Sequence, residues 1–134
     1  RNEHIINKLR PAISKKKNII CDRFTDSTLA YQVYGKGVSE QFINSIHNHI
    51  LNGLKPDLTF VLTVKISKAL QRLKKRKKTN RYDNFSKSFY VRAQKAFIKI
   101  AKKNKKRYCI IDNSEDSNHI EKIILEKYQE KSKA

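Results

Sequence analysis

Asp22 and Arg23 stand side by side at the end of a short apolar run, "NIICDR". An Arg guanidinium suits a two-pronged grip on a phosphate, and an Asp carboxylate suits a metal ion or a hydroxyl proton. The same pair could equally be an ion pair covering a sheet edge. Thr28, Tyr31 and Gln32 follow at helical spacing in "TDSTLAYQ" and could reach the same rim. Thr and Gln can read the edge of a base, and Tyr offers a rigid wall. A second constellation, Arg72, Arg76, Arg81 and Arg92, is scattered among many lysines. Its chemistry could be a lid that closes on phosphates and supplies positive charge to a transferring phosphoryl group. It could also be a solvated charged loop, or one lying on nucleic acid. "HNH" at 47–49 resembles a metal signature, but residues i and i+2 point to nearly opposite sides of a helix. The rest of a metal site is absent. Glycines occur only at 35, 37 and 53, so no Walker-type phosphate loop can be built from this sequence.

The elements that must position these residues alternate. "RNEHIINKLRPAIS" carries a helical apolar face of Ile5, Ile6, Leu9, Ala12 and Ile13, with Pro11 expected to bend or end it. "NIIC" is short and uninterrupted, the pattern of a strand buried on both faces. Thr25 or Asp26 should cap a helix through Tyr34, which "GKG" breaks. Ser39 should cap a helix with Phe42, Ile43, Ile46, Ile50 and Leu51 on one face, ended by Gly53. "PDLTFVLTV" is a second strand, and Ser67 should cap "KALQRLKKRK". After the basic stretch "KKRKKTNRYDN", a long helix runs from about Ser86 to Lys103. "RYCIID" is a third strand, and "SNHIEKIILEKY" a last amphipathic helix. Continuous apolar strands alternating with helices predict an α/β fold, a parallel sheet with helices on both faces. In such sheets ligands bind beyond the carboxyl ends of the strands. Asp22 and Arg23 would sit at one such end.

Composition sets the frame. The chain has 134 residues, 38% of them hydrophobic, with six Phe and six Tyr, enough for one small domain (residues 1–134) with a core. No apolar run approaches the ~20 residues of a membrane span, and no secretory signal is visible. Cys21 and Cys109 fall in strand-like runs and read as small buried thiols. The chain therefore reads as soluble and intracellular, in the cytoplasm. The net charge of +19 suggests polyanionic partners, though many lysines of an Asn-, Ile- and Lys-rich sequence simply face water. No methionine occurs, not even at position 1, so the sequence is expected to be part of a longer reading frame.

"CDRFTDSTLAYQVYGKG" resembles the central signature of thymidylate kinases, and "KPDLTFVLTV" resembles the strand that follows it in that family. "ALQR…NRYD…FYVRAQKAF" resembles the family's lid, here at about 72–92, and "IIDNS" its last strand. Arg1 and Pro11 fit the family's helix that begins with Arg and ends in "PAL". The resemblance runs in order over nearly the whole chain. It implies a P-loop-kinase-like fold and transfer of the γ-phosphate of ATP to dTMP, giving dTDP, with Mg²⁺. It implies that Asp22 lies by the acceptor phosphate and the metal, and that Arg23 grips the dTMP phosphate. Arg1 would contact the thymine edge, Thr28 and Gln32 would help hold the base, and Tyr31 would pack under the sugar and disfavour a ribose hydroxyl. Arg76 and Arg81, with Arg72 and Arg92 beside them, would serve ATP and the transition state, as in the bacterial type. A homodimer is implied, with the Ser39–Leu51 helix or the one containing Ile5 supplying an apolar face. Val33, Lys36, Thr63, Asn80 and Asp83 depart from the family pattern. The family's first strand and phosphate loop would belong upstream of Arg1, so this chain by itself is expected to be inactive. The alternative is a basic nucleic-acid-binding module, supported by charge alone.

Overall fold

The computed structural model describes residues 2–75, 85–115 and 118–133. They form two compact units, one up to Lys55 and one from Pro56 onward.

The first unit is helical. Its opening helix runs through Asn2–His4, Ile5–Leu9 and Arg10–Ser14, and the middle five residues wind as a π-helix. Pro11 was expected to bend or end this helix, yet the helix continues to Ser14. The proline falls at the junction where π bonding gives way to α, just after the Arg10 N–H has reached back to the Ile5 carbonyl. A widened turn is where a helix can carry a residue without a donor. Ile5 and Leu9, one turn apart, are buried, whereas Ile6 and Ile13 of the expected face remain exposed.

"NIIC" forms no strand. Residues 18–21 carry no regular structure, and Ile20 is fully exposed. A strand is defined by the ladder a neighbour provides, and no strand lies in this unit among the described residues. The same correction applies to Cys21, which is exposed rather than buried; Cys109 is half-buried.

The next helix comprises Thr25–Thr28 and a π-wound stretch Leu29–Gly35. Neither Thr25 nor Asp26 caps it, since Phe24 occupies the cap position without a side-chain bond and Thr25 is buried in the first turn. The Glu40–Leu51 helix is capped as expected: Ser39 Oγ accepts the Phe42 N–H at 3.3 Å. Ile43 and His47 face inward from it, and His49 faces out, as the i, i+2 geometry requires. The stop begins one residue before Gly53, with Asn52 already left-handed at φ 44° and Gly53 following at φ 79°. The Arg10 guanidinium donates to the Leu51 carbonyl at 2.9 Å and satisfies one of the last-turn acceptors.

The second unit holds the sheet. β1 (Thr59–Thr63) and β2 (Tyr108–Asp112) pair in parallel, with Val61 opposite Ile110. The Lys87–Lys102 helix packs on both strands. Its inner face is Phe89, Ala93, Ala96 and Ala101, and the three alanines let the helix come close to the strand pair. Ser86 Oγ caps it by accepting the Phe89 N–H. The Ile66–Lys74 helix starts with Lys65 at the cap position, so Ser67 lies inside the first turn and does not cap it. The last helix is Asn118–Ser132.

The strands were expected to be buried on both faces. Val61 and Ile111 are buried, but Leu62 is 50% and Ile110 41% exposed. A two-stranded sheet leaves an unpaired edge on each strand, and the third expected strand is the run at 18–21 that forms none. Ser39→Ala should lower the free energy of unfolding of the helical unit by about 1 kcal/mol, and Ser39→Asp by much less, because only the alanine removes the acceptor for the Phe42 N–H. Chemical denaturation followed by circular dichroism measures both.

Candidate phosphate-binding site

In the helical unit, Arg23 is the focus. Its φ is +64°, the left-handed region that side chains with a Cβ rarely adopt. Strain of this kind costs about 1–3 kcal/mol and persists where the surroundings hold it, often at functional positions. The turn is supported by Cys21, whose Sγ lies 3.7 Å from the Arg23 carbonyl as donor. The Arg23 guanidinium lies over the Tyr31 ring, 5.9 Å from its centroid, at the outer limit of a cation–π contact. Arg23 and Tyr31, expected at one rim, are thus brought together. Thr28 and Gln32 are half-buried on the same helix, and the Gln32 carbonyl accepts the Val38 N–H at 2.9 Å. Asp22 is exposed beside Arg23. Arg1, Arg76 and Arg81 lie outside the described residues.

In the sheet unit, the carboxyl ends of β1 and β2 are tied together by a small polar network. The Asn113 N–H donates to the Thr63 carbonyl at 2.7 Å, and Thr63 Oγ1 donates to the Ile111 carbonyl at 3.3 Å. The Ser114 N–H and hydroxyl both donate to Asp112 Oδ1, at 2.9 and 2.5 Å. The same Ser114 oxygen accepts the Lys65 N–H at 3.0 Å, and Gln94 Oε1 accepts the Val64 N–H at 3.1 Å. Ser114 is buried, so its hydroxyl is used as donor and acceptor at once. These two hydrogen bonds from Ser114, with Lys65 and Lys68 nearby, hold the Asp112 carboxyl below the ordinary aspartate value.

Beyond that network opens a hollow of about 430 Å³, lined by Lys68, Gln71, Arg72, Lys75, Ser114 and Glu115. Three cations face one carboxylate, and Lys68 lies 3.8 Å from Glu115. An open cationic hollow at the carboxyl ends of parallel strands is a place for a phosphate-bearing ligand. Arg72 is part of it; Arg92 is exposed on the Lys87–Lys102 helix. Sequence reasoning missed Lys68, Lys75 and Ser114. Ser114 was visible in the "IIDNS" motif, but the lysines had nothing to set them apart in a lysine-rich chain.

Among the described residues, no group of three or more His, Cys, Asp or Glu could hold a metal ion, and no helix is long and apolar enough to cross a membrane.

The family model "Thymidylate kinase" matches residues 1–124. The chain belongs to the thymidylate kinase family. It is 34% identical over 122 residues to the thymidylate kinase of Desulfovibrio desulfuricans, covering 86% of this chain and 56% of that protein. With the thymidylate kinase of Onion yellows phytoplasma it shares 37% over 133 residues, covering 97% of this chain and 64% of the relative. The crystal structure of thymidylate kinase from Ehrlichia chaffeensis superposes with a TM-score of 0.70 at 29% identity, over 96% of this chain and 58% of that one. The chain therefore spans a little over half the length of these thymidylate kinases, in the α/β fold they share. The family match does not favour a separate nucleic-acid-binding module.

Two outcomes follow from this geometry. Ser114→Ala should return the Asp112 carboxyl toward its ordinary value, read by NMR titration. In the parent the lowered value stabilises the fold above about pH 4 and is lost as pH falls through it; in the variant that acid-side loss of stability should shrink. Arg23→Gly should be more stable to denaturant than Arg23→Ala by about 1 kcal/mol, since only glycine adopts the left-handed turn without strain.

Proposed function

We propose that this chain is the acceptor-binding and lid-bearing part of a thymidylate kinase, which transfers the γ-phosphate of ATP to dTMP. An oxygen of the dTMP phosphate attacks the γ-phosphorus, the bond from that phosphorus to the β,γ-bridging oxygen breaks, and dTDP and ADP leave. The observation that carries this reading is the left-handed turn at Arg23, with its guanidinium against Tyr31. A non-glycine residue held in that conformation at the end of "CDR" aims a cation at a fixed place, and positioning and charge are most of what phosphoryl transfer needs.

In this reading Arg23 holds the dTMP phosphate and stays near the transferring group. Tyr31 packs under the sugar, where a ribose 2′-hydroxyl would collide with the ring. Thr28 and Gln32 hold the base, and Arg1 meets its edge. Arg72, Arg76, Arg81 and Arg92 serve ATP and offset charge as the phosphoryl group moves. The hollow beside Arg72 fits the nucleotide side of this arrangement, with Lys68 and Lys75 as further cations. Asp22 offers a single exposed carboxylate. That fits Mg²⁺, which is commonly held by one or two carboxylates together with substrate phosphates and water. Mg²⁺ bound there would neutralise phosphate charge. A homodimer would use the apolar residues left exposed on the Glu40–Leu51 helix, Phe42 and Ile46, or Ile6 and Ile13 on the opening helix. The cytoplasm is the compartment that this reading implies.

The 134 residues hold no glycine-rich loop that could cradle the β- and γ-phosphates with backbone N–H groups. The 134-residue chain assayed alone for dTMP-dependent ADP release should therefore be silent. Fused behind the strand and phosphate loop of one of its curated relatives, it should turn over. Arg23→Ala in that fusion should cut turnover by roughly 10². Near-normal turnover in the variant would remove Arg23 from the site, and a silent parent fusion would count against the kinase reading itself.

A further inference from the structure

A second basic hollow lies at the other end of the strand pair. It has a volume of about 320 Å³, and its floor is Leu58, which precedes β1, with Tyr108 and Cys109 at the start of β2. The network around Asp112 and Ser114 sits at the opposite, carboxyl end. Five residues of strand separate the two, roughly 15 Å at the usual rise, so one small ligand cannot occupy both.

Four lysines, Lys105, Lys106, Lys127 and Lys131, line this hollow with one acidic residue, Glu130. They arrive from two elements. Lys105 and Lys106 project from the tight turn after the Lys87–Lys102 helix. Asn104 fixes that turn by accepting the Arg107 N–H on both its carbonyl, at 3.1 Å, and its side-chain oxygen, at 3.3 Å. Lys127 and Lys131 are four apart on the last helix and share a face, an arrangement of like charges that costs helix stability. Glu130 is engaged with Lys127 at 2.7 Å. Among the described residues no carboxylate pairs with Lys105, Lys106 or Lys131. Converging unpaired cations around a concave apolar floor call for a multiply charged anion, and lysines recognise phosphate as point charges.

We propose that this hollow is a second anion site, distinct from the rim at Asp112 and Ser114, and that it takes a small di- or triphosphate-bearing molecule. The volume is at the small end of ligand pockets. A nucleic-acid track fits less well. Glu121, Glu126 and Glu130 interrupt the positive charge along the last helix. One face of the Tyr108 ring, the aromatic at the floor, is covered by the Arg107 guanidinium 4.5 Å from its centroid and is not open to a stacking base.

The test is an NMR titration of the chain with inorganic tripolyphosphate, following backbone amides. Saturable shifts are expected at 105–109 and 127–131, separate from any at Lys65, Lys68 and 112–115. Lys106→Ala with Lys131→Ala should raise the half-saturating concentration for those shifts about tenfold. The matching Arg pair should keep binding within about twofold, and so should Lys8→Ala with Lys15→Ala, which removes the same charge elsewhere. Shifts confined to the Asp112–Ser114 rim would overturn the proposal. So would shifts that never saturate, or equal weakening by the Lys8 and Lys15 changes. A single-stranded oligonucleotide that binds 105–109 more tightly than tripolyphosphate would replace the small anion with a nucleic-acid backbone and overturn it as well.

Discussion

A β-strand exists only where a neighbour completes its hydrogen-bonding ladder, and that constraint divides this chain. β1 and β2 supply each other with partners, and around that pair a core forms from Val61, Ile111 and the alanine face of the Lys87–Lys102 helix. The run at 18–21 carries two β-branched isoleucines but has no strand beside it in its own unit, and those isoleucines stand in solvent. The helices need no such partner, because their backbone bonds are internal. They form in both units, and packing then decides only which of their apolar residues are covered.

The parallel pairing also builds the chemistry at its end. Parallel strands run out together, so Thr63 and Asp112 finish side by side and the backbone groups beyond them need partners. Ser114 meets this need with one hydroxyl, giving its proton to Asp112 and accepting the Lys65 N–H. The helix that follows β1 is thereby started at a fixed place, and Lys68, Arg72 and Lys75 come off successive turns of it, or just past its end, toward one hollow. A cationic hollow at this position is thus a consequence of strand direction, a cap and helical spacing, without a glycine-rich loop.

Arg23 reaches its position by other means. It is not at the end of a formed strand but in a strained turn, held by the Cys21 thiol and lying against the Tyr31 ring. Local contacts keep this conformation in the unit where the expected strand is absent. In the proposed kinase reading such a turn would suit a phosphate-gripping cation, which is most effective when it is already placed.

The amino-acid sequence by itself determined the family and the order of the elements that form, all but the strand expected at 18–21. Motifs such as "CDRFTDSTLAYQ" and "IIDNS" depend on side-chain chemistry at fixed local spacing, and helix periodicity and the Ser39 cap are equally local. Tertiary structure decided what depends on distant neighbours. Whether "NIIC" pairs, whether Leu62 and Ile110 are covered, and whether Pro11 ends its helix all rest on partners or bonding patterns that a linear pattern does not contain. The same holds for the lysines. Among 31 Lys and Arg residues, position in sequence does not separate a solvated side chain from one that lines a hollow. Lys68 and Lys75 share a hollow with Arg72 because one helix and its C-terminal cap carry all three past the end of β1, and Lys106 shares one with Lys131 because a turn and a helix far apart in the chain reach the other end of the strand pair.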